Sequence, residues 1–102
     1  MAIYNKLVRD NIPHIIETKG NLSSTKQLDE KSYFLSLQEK LQEETEEYLE
    51  DTNPEELADI LEVVYALAAC QNLSIADLEA MRLAKRKERG GFDKRVYLIS
   101  VD

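Results

Sequence analysis

The stretch LQEETEEYLEDTNPEELADILEVVYALAA, residues 41–69, decides how the rest of the chain is read. Asn53-Pro54-Glu55-Glu56 divides it. Asn is a favoured helix N-cap, and Pro fits the first helical position because its missing N–H would be unpaired there anyway. Two carboxylates in the first turn suit the positive end of the helix dipole. One helix therefore ends near Asp51, and the next runs from Asn53-Pro54 to about Gln71. Working back, the first of this pair begins near Asp29, after the polar loop GNLSSTKQ. Before that loop a short helix is predicted from about Asp10 to Lys19, with Asp10 as cap, Pro13 in its first turn and Gly20 as its stop. Working forward, Ser74-Ile75-Ala76-Asp77 resembles a capping box with Asp in place of Glu, and opens a helix that ends at Gly90-Gly91. The tail RVYLISV is β-branched and aromatic, and predicts a short strand that pairs with Ile3-Tyr4. The expected fold class is all-α: four helices with short terminal strands.

Composition sets the outer bounds. The 102 residues suit a single domain. Three Gly, two Pro and no Trp are too few turn-formers for a sandwich or barrel of many short strands. Thirteen Lys and Arg against 20 Asp and Glu give a net charge of −7, which argues against a nucleic acid as main partner. The single cysteine, Cys70, excludes an internal disulfide and a Cys-rich zinc site. The opening MAIYNKLVRDN lacks the apolar run of a signal peptide, and no stretch is apolar enough to span a membrane. The expectation is a cytoplasmic protein without a membrane partner. The charge is unevenly spread: Glu39–Glu62 carries a local net of −10, whereas Arg82–Arg95 carries +5. A divalent cation together with a polyanion satisfies both regions.

Several carboxylates stand where a core is expected. On a helical wheel, Tyr33, Phe34, Leu37, Leu41 and Tyr48 form an apolar stripe. Glu44 falls inside it and Glu47 on its edge, while Glu39, Glu46 and Glu50 point to the far side. In the next helix Leu57, Ile60, Leu61, Val64, Leu67 and Ala68 form a broad apolar arc. Glu56 sits at the edge of that arc, and Asp59 follows three residues later between Ala66 and Cys70. Beyond Asp59 this helix is apolar almost all round, which predicts burial on several sides. Clustered carboxylates lose solvation and repel one another. Only Lys40 lies in the same segment to offset them, and it can pair with Glu44 at i+4. Mg²⁺ or Mn²⁺ would resolve the conflict, since hard cations take carboxylate oxygens and keep positions open for phosphate. On spacing alone a structural reading stays open: acidic helix faces are commonly solvated, and Glu56 suits a first turn. A di-iron bundle is disfavoured, because it needs Glu-x-x-His motifs and the only histidine is His14.

The last helix carries the opposite charge. Arg82, Lys85 and Arg89 fall in one sector, continuing the face begun by Leu78. They read either as a cationic C-terminal turn or as a row that faces phosphate.

Taken together, these residues resemble the all-α nucleoside triphosphate pyrophosphohydrolases of the MazG-like superfamily, in particular the small proteins described as phosphoribosyl-ATP pyrophosphohydrolase-like. The family pattern EExxE, spacer, ExxD reads here as Glu43-Glu44-Thr45-Glu46-Glu47 and Glu56-Leu57-Ala58-Asp59. KLVRDNIP at the start, KLQEE before the first motif and KRKERGGF near the end also match, so the resemblance covers nearly the whole chain.

The resemblance implies a MazG-like four-helix bundle completed by oligomerisation. It implies Mg²⁺, with Mn²⁺ as substitute, held by Glu44, Glu47, Glu56 and Asp59. The implied reaction cleaves a nucleoside triphosphate between the α and β phosphates, releasing a monophosphate and pyrophosphate. Lys85 matches the family's basic position, and with Arg89 and Arg82 it is implied to hold phosphates. Glu43 is a supporting residue, and Glu47 or Glu62 is the candidate to take the proton of the attacking water. A general housekeeping pyrophosphatase is favoured over phosphoribosyl-ATP hydrolysis, because the motifs concern metal and phosphate only. A non-catalytic helical interaction module is the competing reading. The apolar third helix leads us to expect a homodimer or homotetramer.

Overall fold

Asp29, Asn53 and Ser74 each open a helix in the computed structural model, which describes residues 1–102. The elements are α1 (Ile12–Thr18), α2 (Glu30–Asp51), α3 (Pro54–Cys70) and α4 (Ile75–Arg89), with no strand. The Asp29 carboxylate accepts from the Ser32 N–H at 2.8 Å, and the Asn53 side chain accepts from Glu55 N–H at 3.0 Å. At the start of α4 the Ser74 hydroxyl accepts from Asp77 N–H while the Asp77 carboxylate accepts from Ser74 N–H, a complete capping box with the shorter acid. Each bond satisfies a backbone donor that the helix itself leaves unpaired.

Two expectations about the ends of the chain fail. Asn11, not Asp10, takes the N-cap position of α1, and its side chain makes no capping bond. The terminal strands are absent: Val96–Val101 and Ile3-Tyr4 are exposed and without regular structure. Two isolated segments gain too little from pairing to offset their ordering entropy when no sheet or helix covers them.

The centre of the fold is the α2–α3 hairpin. Thr52, in the left-handed conformation with φ 53°, ends α2 and lets Asn53 start α3 at once. The hairpin encloses a small core of Leu37, Val63 and Ala68, together with one charged residue, Glu44. These four are the only buried residues among 102. α3 therefore does not meet the burial expected on several sides. It turns the face of Glu56, Val63 and Leu67 towards α2, and leaves Leu57 and Leu61 about half exposed.

α4 packs against α3 alone, with 106° between their axes, and so stands out from the hairpin. The result is long, 60 × 32 × 24 Å with a radius of gyration of 17.9 Å. A compact domain of this length has a radius of about 13 Å. The accessible surface is 9441 Å², where a compact monomer of this mass exposes about 5,900 Å². Much of the excess is apolar: Phe92, Val96, Tyr97, Leu98, Ile99 and Val101 are all largely exposed. No single helix is long and apolar enough to cross a membrane.

Candidate functional site

Glu44 is the only buried charged residue of the chain. Its position inside the apolar stripe of α2 carries it into the seam with α3. Lys40, one turn earlier, reaches it at 3.3 Å and reaches Glu43 at 3.2 Å. Burial acts to lower the Lys40 pKa, but the bonds and charges of Glu43 and Glu44 together outweigh it and hold the ammonium above its ordinary value. Burial likewise acts to raise Glu43, and its pairs with Lys40 and Lys6 outweigh that and hold it below the ordinary carboxylate value.

The remaining carboxylates gather beside Glu44 with less compensation. Glu47 is exposed, and the charge of Glu44, then desolvation, then Glu43 raise its pKa. Glu56 is half-buried, and its Oε2 is sealed from solvent without a hydrogen-bond partner. Desolvation, then the neighbouring Asp51 carboxyl, then the charges of Glu47 and Glu44 push its pKa up to about 7. Asp51 is fixed there by its own role in the turn, where it accepts from Asn53 N–H at 3.0 Å. Asp51 is a member of the cluster that sequence reasoning took only as the end of a helix.

Asp59 is drawn the other way. Arg9, fifty residues earlier, donates from Nη2 to Asp59 Oδ1 at 2.6 Å. Lys6 donates to Glu43 at 3.3 Å. The sequence reading counted Lys40 as the only nearby cation, and the structure adds these two. The one available signal was a pair of cations three residues apart, around Leu7-Val8, ahead of a strongly acidic chain.

Residues 7–15 face the hairpin across a cleft of about 750 Å³. Val8, Ile15, Tyr33, Leu37, Val63 and Tyr65 give it an apolar lining. Arg9, Lys40, Glu44, Asp59 and Glu62 give it a charged one. Glu62 is exposed and makes no ion pair. This volume and mixture are those of small-molecule sites in general.

The basic row of α4 is not part of this assembly. Lys85 and Arg89 are exposed and unpaired, and Arg82 is held by Glu79, with Nε at 2.9 Å. At about 1.5 Å rise per residue, and with α4 turned 106° from α3, Lys85 stands about 20 Å from Asp59 in a straight line. α2, which carries Glu44 and Glu47, does not touch α4 at all. Within one chain the structure brings together Glu44, Glu47 and Glu56, sets Asp59 and Glu62 along the adjoining cleft, and leaves Arg82, Lys85 and Arg89 apart.

No three acidic, histidine or cysteine side chains converge tightly enough to form a metal cage as they stand. The donors nevertheless fit a hard divalent cation in kind: all are carboxylates, and one buried oxygen of Glu56 lacks any partner. Glu47 and Glu56 are free of ion pairs, whereas Glu44 and Asp59 would have to give up Lys40 and Arg9 to join an ion. Comparison with protein-family models, with curated proteins and with solved structures finds no match to this chain.

Proposed function

We propose that the protein is a Mg²⁺-dependent nucleotide pyrophosphohydrolase of the MazG-like kind, which splits a nucleoside triphosphate into a monophosphate and pyrophosphate. The observation that carries this reading is the buried, unpartnered Oε2 of Glu56 beside Glu44, Glu47 and Asp51. An uncompensated cluster of this kind is costly unless a cation joins it. Glu44, Glu47, Glu56 and Asp59 would hold Mg²⁺ or Mn²⁺. Once bound, the ion supplies charge neutralisation at the phosphates and a more acidic water. Glu62, unpaired along the cleft, would be the first candidate to accept the proton of an attacking water. Glu47 is the second candidate for that role.

Lys85 and Arg89 would neutralise the departing pyrophosphate, with Arg82 available if it leaves Glu79. Lys85 stands about 20 Å from Asp59 of its own chain, so this part of the reading requires a second copy to deliver α4. The support is the excess of accessible surface, 9441 Å² against about 5,900 Å² for a compact monomer. We therefore propose a homodimer or homotetramer.

A helical interaction module without metal is the second reading, and it draws on the exposed apolar residues of α3 and the tail. Thermal melting separates the two. With chelator removed, Mg²⁺ or Mn²⁺ should raise the melting temperature by mass action. A melting curve indifferent to both ions would favour the module.

A further inference from the structure

The sequence motifs gave the opening segment no chemical task, yet it makes the two longest-range ion pairs of the chain. Lys6 reaches Glu43 at 3.3 Å, and Arg9 reaches Asp59 at 2.6 Å. Leu7 and Val8, between them, line the same cleft as Tyr33 and Leu37. The segment is thus a strap along one wall of the cleft, tied to the hairpin by a cation at either end. Arg9 uses one N–H on Asp59, its side chain remains 55% exposed, and the other guanidinium donors have no protein partner. A guanidinium with donors to spare, on the wall of an open cleft, matches the planar geometry of a phosphate. Lys40 lines the same cleft but is paired with both Glu43 and Glu44.

We propose that Arg9 is a phosphate-binding residue of the cleft, and that Asp59 holds its guanidinium in place until a divalent cation takes that carboxylate. The inference rests on the reading of Asp59 as a metal ligand. It adds a substrate contact contributed from within the same chain, whereas the cations of α4 have to come from another. Were Asp59 taken up by a cation, the Lys6–Glu43 pair would still tie the strap to α2. The freed fork then faces the polyanion that accompanies the metal.

The test compares the full-length wild type with Arg9→Gln and Arg9→Lys, using Mn²⁺ alone and then Mg²⁺-saturated inorganic triphosphate as calorimetric probes. Inorganic triphosphate removes any dependence on the base. Arg9→Gln should bind Mn²⁺ as tightly as wild type or more tightly, since a competitor for Asp59 is gone. It should bind triphosphate about 10- to 100-fold more weakly, the range expected for losing hydrogen bonds to a charged group. Arg9→Lys should fall between the two. An unchanged triphosphate affinity in Arg9→Gln overturns the proposal. So does a parallel loss of Mn²⁺ affinity, triphosphate affinity and melting temperature, because Arg9 then only fastens the strap. If wild type binds no Mn²⁺, the carboxylate reading itself falls and the inference falls with it. Mn²⁺ binding with triphosphate affinity insensitive to Arg9 removes the inference alone.

Discussion

Replacing Lys40 with Met keeps most of the aliphatic stem and removes the cation that faces Glu44. The two side chains are 17% and 10% exposed, and their charged atoms are 3.3 Å apart. At 3.3 Å the attraction is about 1.3 kcal/mol at the permittivity of water and about 5 kcal/mol at an effective value of 20. Desolvation offsets part of the larger figure, while leaving Glu44 buried and unpaired adds to the loss. A net destabilisation of about 2 kcal/mol is expected in the metal-free protein, which for a domain of this size lowers the melting temperature by about 8–16 °C. Glu44→Gln in the same background should recover most of that loss, because the cost lies in the stranded charge. Mg²⁺ should recover it too, and should raise the melting temperature of Lys40→Met by more than it raises wild type. The assay is melting by circular dichroism, in chelator and in Mg²⁺, on both variants and the parent. A loss below about 0.5 kcal/mol in chelator, the range of ordinary surface substitutions, would refute the reasoning about Glu44. An identical Mg²⁺ shift in wild type and Lys40→Met would refute the idea that the ion and Lys40 serve the same carboxylate.

Three further outcomes are expected. Glu44→Gln and Asp59→Asn should each abolish metal-dependent hydrolysis while keeping the helical spectrum, and near-normal turnover in either would remove that residue from the ligand set. Between the ordinary carboxyl value and about 7, the folded chain keeps a proton on Glu56 that the unfolded chain has released, so the metal-free protein should lose stability as pH rises through that window. Glu56→Gln should flatten this slope in denaturant titrations at several pH values; an unchanged slope would place the titration elsewhere. Light scattering at micromolar concentration should give a dimer or tetramer, and Leu61→Asp, on the half-exposed face of α3, should shift it towards monomer. A monomeric wild type would contradict the proposed delivery of α4 from a second copy.

Helix junctions were legible because their signals are local. Asn53-Pro54 and Ser74-Ile75-Ala76-Asp77 carry caps whose bonds close within three residues. Glu44 was legible as a carboxylate inside an apolar stripe, since the wheel reports direction and the direction held. The Arg9–Asp59 pair was not, because it joins residues far apart in sequence and no periodicity encodes it. The wheel also gave α3 an apolar arc wider than one neighbour can cover. It could not say that α2 takes the Val63 side and leaves Leu57 and Leu61 outside. The β-branched tail misled for a related reason: strand propensity describes fit to a neighbouring sheet, and this chain provides none. The helix that carries Arg82, Lys85 and Arg89 was legible, but its distance from the carboxylates depends on the turn after Cys70, which those residues do not specify.

The most direct measurement is identification of the products formed from a panel of ribo- and deoxynucleoside triphosphates with Mg²⁺ or Mn²⁺. Ion-exchange chromatography should find nucleoside monophosphate and pyrophosphate in equal amounts, and none of either in chelator. Nucleoside diphosphate with inorganic phosphate as the products, or no hydrolysis of any member of the panel in the presence of either ion, would contradict cleavage of the α–β bond by this carboxylate cluster.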